Sequence, residues 1–117
     1  MSFTLQDIIK VLEAYPDQEK VLKIGFSYPH SYRGYYEDLA FEPEENVTVA
    51  QCLALAEDSL CTTFYGYKGG YFTMDAYTRC WFSRYGYSDG DAIGPTTLAY
   101  MLNLSLEDIY ELIDKIR

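Results

Sequence analysis

Apolar residues recur every three or four positions over residues 4–14, where Leu5, Ile8, Ile9, Leu12 and Tyr15 form one stripe. The chain therefore opens on an amphipathic helix, with Thr4 placed to cap it, Asp7 in its first turn and Pro16 to stop it. PDQEK reads as a turn. The period then shortens to two over residues 21–26, a strand that turns Leu22, Ile24 and Phe26 toward the core. The tract SYPHSYRGYYEDLAFEP, residues 27–43, leaves a strand, loops at Pro29 and Gly34, and enters a second strand near residues 35–41. EPEEN is an acidic connection, after which Thr48 caps a helix carrying Val49, Cys52, Leu53, Ala56 and Leu60 on one face.

Residues 62–67 are β-branched and aromatic, Lys68, Gly69 and Gly70 make a turn, and residues 71–74 return, so FYGYKGGYFTM reads as a hairpin. Residues 76–85 read as a strand on aromatic content, although Tyr77, Trp81, Arg84 and Tyr85 also share one helical face. SDGDAIGP is a loop. Residues 96–102 stay open between helix, which Gly94 and Pro95 can start, and strand, which the threonines suit. Ser105 with Asp108 caps a last helix that turns Leu106, Ile109, Leu112, Ile113 and Ile116 inward. With no repeat or linker, residues 1–117 make one α+β domain, a mainly antiparallel sheet packed with about three to four helices.

Composition narrows the function classes. No apolar run reaches membrane-spanning length and the N-terminus lacks a secretory pattern, so a soluble, cytosolic protein is expected. Cys52, Cys61 and Cys80 show no CxxC spacing, which implies free thiols; Cys52 and Cys61 read as packing residues. A formal charge of −9 argues against binding to nucleic-acid polymers or anionic lipid. It does not exclude one small anion, because local field decides that. Only Arg33, Lys68, Arg79 and Arg84 of the nine basic residues fall in the long middle, where ten of the thirteen tyrosines also lie.

Around Arg33 stand Tyr28, Tyr32, Tyr35, Tyr36, Phe41 and the single histidine, His30. A guanidinium among flat rings can grip an anion while a base stacks beside it, which suits a nucleotide. The plainer alternative is a tyrosine-rich core strand whose arginine reaches out to water. In the hairpin, Gly66, Gly69 and Gly70 let backbone N–H groups approach a phosphate and Lys68 adds charge, but the spacing is that of no named phosphate loop. An ordinary turn accounts for it equally. A Cys–His dyad needs His30 beside Cys61 or Cys80, and nothing in the sequence brings them together. Asp89 and Asp91 lack the further ligands of a calcium loop, so neither metal nor cofactor is expected. Carboxylate pairs drawn from Glu37, Asp38 or Asp75 carry no specific signal.

SYRGYYEDLAFEP, followed one helix later by FYGYKGGYFTMDAYT, resembles a family of small phage and prophage proteins, the first-described Thoeris anti-defence sponges. The likeness runs from the first helix to about Tyr85. It implies a protein that is not an enzyme and acts in the host bacterial cytosol. Such a protein sequesters glycocyclic ADP-ribose isomers and, in some members, cyclic di- or trinucleotides, and it assembles as dimers or hexamers with pockets at subunit boundaries. The same resemblance assigns Arg33 to the pyrophosphate and Tyr35 and Tyr36 to the base or ribose. Tyr67, Lys68 and Gly69 then line the same or a second anionic pocket. Trp81 and Arg84 join the candidates on side-chain chemistry. Two further readings stand beside this one: an acidic inhibitor that binds a host defence enzyme as a DNA mimic, and a phosphodiesterase acting on the same signals.

Overall fold

A computed structural model of the protein describes residues 3–66 and 68–114. Helix α1 (Leu5–Ala14) starts in a capping box, in which Asp7 N–H donates to Thr4 Oγ1 and Thr4 N–H to Asp7 Oδ2. There follow β1 (Val21–Leu22), β2 (Gly25–Ser31), β3 (Leu39–Glu44) and β4 (Val47–Thr48). Helix α2 (Val49–Ser59) leads to the hairpin of β5 (Thr63–Tyr65) and β6 (Tyr71–Thr73), then to β7 (Cys80–Phe82) and β8 (Asp91–Ala92). Helices α3 (Pro95–Leu102) and α4 (Leu106–Asp114) close the chain.

The main sheet runs in the order β2-β3-β7-β8, while β1–β4 and β5–β6 are separate two-stranded pairs. Among the described residues only β3–β7 is parallel, so the domain is α+β with mainly antiparallel pairing. The core is anchored by Phe26 on β2 and Phe41 on β3, fully buried and stacked at 4.4 Å between centroids, with Phe82 of β7 at 5.5 Å. Such a pair gains offset-stacking energy beyond its buried area. Leu5, Ile8, Val11 and Leu12 of α1 are buried where that helix packs on α2 and α4.

Several elements differ from the sequence reading, each for a local reason. The strand expected over residues 21–26 is broken in two, because residues 23–24 bend and Gly25 passes close to α2. A Cβ on Gly25 would stand 2.7 Å from Cys52 Sγ, which instead accepts the Phe26 N–H at 3.2 Å. The second strand begins only at Leu39. Residues 32–38 form a closed loop, with Tyr32 N–H donating to Asp38 O and Asp38 N–H to Tyr35 O, both at 2.8 Å. The acidic connection is mostly strand, turning at Asn46 in the left-handed region (φ 60°). Only residues 80–82 of the expected 76–85 strand pair in the sheet, since Asp75 folds residues 75–78 into a turn through its carboxylate and Tyr77 N–H. Residues 91–92 of the expected loop add to the sheet edge, and residues 96–102 are helical, with Pro95 in the first turn.

Leu106 was expected inside but is 46 % exposed, at the first turn of a helix whose buried face is Ile109, Leu112 and Ile113. Leu60 follows α2 as its cap and is exposed, as is Cys61, which adopts φ 64°. Cys52 and Cys80 are buried. Tyr67 and Ile116 lie outside the described residues.

His30 is 5 % exposed, its Nδ1 has no hydrogen-bond partner among the described residues, and burial lowers its pKa below 6.5 against the opposing pull of Glu42. The unfolded chain therefore binds more protons than the fold between the folded value and 6.5, so the contribution of His30 to stability is complete above 6.5 and is lost as pH falls from 6.5 through the lower folded value. Urea denaturation across this range should show that slope in the wild type and a flatter one in His30→Phe. Equal slopes in the two proteins would contradict the assignment.

Candidate functional site

Parallel pairing between β3 and β7 sets Leu39 opposite Cys80 and Ala40 opposite Trp81. Asp38, one residue before β3, and Arg79, one before β7, thus come together, tied by the Leu39 N–H to Arg79 O bond at 3.0 Å. Strand alternation sends Cys80 into the core and places Arg79 and Trp81 on the other face. Trp81 stacks on buried Tyr32 at 4.7 Å and 16°, with Tyr35 at 5.9 Å. Tyr32 in turn accepts the Gly90 N–H through its hydroxyl at 2.9 Å. The Trp81 Nε1–H donates to Asp38 Oδ2 at 3.0 Å. Across from these, Tyr36 stacks on Phe72 at 5.8 Å and 19°, which joins the loop of residues 32–38 to the β5–β6 hairpin.

Between the two ring pairs opens a cleft of about 580 Å³, lined by Tyr35, Tyr36, Phe72 and Trp81 with Tyr77, Glu37, Asp38 and Arg79. A neighbouring hollow of about 460 Å³ shares Glu37, Asp38, Phe72 and Tyr77, so the two form one groove beneath the hairpin. Asp38 is half-buried, and desolvation raises its pKa above the ordinary 3.8 despite the opposing effects of the Trp81 hydrogen bond and of Arg79. Among the described residues no hydrogen bond or ion pair holds the Arg79 guanidinium, leaving its fork available to an anion.

Three of the sequence-derived candidates, Tyr35, Tyr36 and Trp81, meet in this cleft. Arg33 does not line it. That side chain is half-buried, and its Nη1–H donates to Gly86 O at 2.6 Å, tying the 32–38 loop to the turn after β7. Lys68 and Gly69 lie at the hairpin tip, with Gly69 at φ 103° and Lys68 exposed. Arg84 borders a separate hollow of about 250 Å³ beside Asp89 and Asp91. Tyr67 lies outside the described residues. His30 is packed between Tyr28 and Tyr85, at 5.6 and 5.5 Å.

Sequence reasoning did not single out Arg79, Asp38, Phe72 or Tyr77 for the site. One local signal was present for Arg79: on a strand it shares a face with Trp81 two positions on. Asp38 had none, because its partner is Trp81, brought to it by a long-range parallel pairing.

The chain has one tryptophan, so its emission reports on Asp38 directly. In acid that emission should change with a midpoint above 3.8, and Asp38→Asn should remove the transition. A wild-type midpoint at or below 3.8 contradicts the burial of this carboxyl. Compared with family models, with curated proteins and with solved structures, the chain finds no match in any of the three.

Proposed function

We propose that the protein is a non-catalytic phage anti-defence sponge that sequesters a cyclic signalling nucleotide, either glycocyclic ADP-ribose or a cyclic di- or trinucleotide. One observation carries this reading. The two stretches that bear the family resemblance, residues 31–43 and 64–78, supply facing walls of a single cleft, Tyr35 to Asp38 from one and Phe72 and Tyr77 from the other. Its volume of about 580 Å³ lies in the range of small-molecule sites. Each stacked base contributes about 1–3 kcal/mol on such rings. Arg79 offers a charge-assisted contact to phosphate from the same surface.

Retention without conversion asks for stacking and fixed charge, not for a nucleophile beside a base. The described residues lining the cleft include no serine, cysteine or histidine. Exposed Tyr35 and Tyr77 leave it open on one side, and a second copy of the chain, in a dimer or hexamer, would close it. The proposed setting is the host cytosol; no helix among the described residues is long and apolar enough to cross a membrane.

The −9 charge favours a second reading, an acidic inhibitor of a host enzyme. Protein incubated with glycocyclic ADP-ribose or a cyclic dinucleotide, washed and then heated should release that compound unchanged. Release of a cleaved product makes it an enzyme, and failure to retain any nucleotide favours the inhibitor. Arg79→Ala should weaken retention by about ten- to a hundredfold with unchanged stability. Arg33→Ala should lower both affinity and stability, since that side chain also ties two loops. Wild-type retention in Arg79→Ala would remove this cleft from the site.

A further inference from the structure

We infer that Asp38 reads the base of the bound nucleotide and that the cleft therefore prefers guanine over adenine. This deepens the sponge reading and rests on it: of the ligands proposed there, it favours a guanine-containing cyclic di- or trinucleotide over glycocyclic ADP-ribose, whose base is adenine. Stacking uses a base's faces, so discrimination falls to the groups that meet its edge. The Asp38 carboxylate is held at the rim of the Trp81 ring by the Nε1–H···Oδ2 bond of 3.0 Å, and its Oδ1 accepts no hydrogen bond from a described residue. Glu37 adds a second acceptor-only group beside it. Among the described residues, the lining contains no asparagine or glutamine that could offer the alternating donor and acceptor an adenine edge needs.

A carboxylate presents two acceptors side by side. Guanine answers with two adjacent donors, N1–H and the N2 amine. Adenine places the N1 lone pair next to its amine, so one of its two contacts with a carboxylate is repulsive. Hypoxanthine keeps N1–H but has lost the amine. Arg79, in the same cleft, is left for phosphate or for the O6 and N7 acceptors of guanine. Burial raises the Asp38 pKa, so mild acid favours the protonated form, which turns one acceptor into a donor and suits adenine instead.

The test is calorimetry of the full chain with cyclic diguanylate, cyclic diadenylate and cyclic diinosinate at pH 7.5 and again in mild acid. The diguanylate should bind at least about tenfold more tightly than either of the others, because the site leaves an acceptor of the half-buried Asp38 carboxylate unpaired with each of them. That preference should shrink as pH falls. Asp38→Asn keeps an oxygen for the Trp81 N–H and should reduce the preference to less than about threefold, whereas Asp89→Asn, in the separate hollow beside Arg84, should retain it. Equal affinities in the wild type, or tighter binding of the adenine ligand, would overturn the inference and leave the sponge reading standing. Binding of none of the three, with glycocyclic ADP-ribose also failing, would defeat both.

Discussion

Three pairs of residues on two parallel strands, Leu39 with Cys80, Ala40 with Trp81 and Phe41 with Phe82, fix the geometry on which the rest of the molecule turns. On the inner side this register joins Phe82 to the Phe26–Phe41 stack at the centre of the core. On the outer side it delivers Arg79 and Trp81 beside the loop that carries Tyr35 to Asp38. Parallel strands require a long crossover, and here that crossover contains both α2 and the β5–β6 hairpin. The hairpin thus returns over the same loop, where Tyr36 meets Phe72. Core and cleft are two faces of one pairing.

Charge is distributed unevenly around that pairing. The chain carries −9, and among the described residues the groove beneath the hairpin has Glu37, Asp38 and Asp75 against a single guanidinium, Arg79. A ligand held only through phosphate would meet a repulsive field there. One that combines a donor-rich base with phosphate meets each charge with its opposite, and the rings between them contribute sequence-tolerant stacking. Arg33 occupies a different place in this scheme. Its bond to Gly86 O, together with the Tyr32 hydroxyl at Gly90, locks the turns at either end of residues 84–90 onto the aromatic loop. The arginine most conspicuous in the sequence therefore helps position the rings that surround it.

Helices were the most legible part of the fold. Local spacing and caps at Thr4, Thr48 and Ser105 mark their starts, and each of these caps forms the reciprocal side-chain bonds its sequence suggests. The strands were less so. Val21 and Phe26 belong to different pairings because Gly25 must approach Cys52, and no local pattern encodes that contact. The aromatic half of the cleft could be read from Tyr35, Tyr36 and Trp81. Its polar half could not, since Asp38 looks like any surface acid until a pairing across more than forty residues sets the indole N–H against it.

In the proposed function, a nucleotide sits in the groove between the 32–38 loop and the hairpin. A single indole N–H resonance, that of Trp81, makes nuclear magnetic resonance the most direct measurement. Titration of labelled protein with a cyclic nucleotide should shift that resonance together with the amides of Tyr35, Tyr36 and Phe72. Shifts confined to the Arg84 hollow, or to the hollow between residues 20–24 and 99–104, with the indole unmoved, would contradict the account.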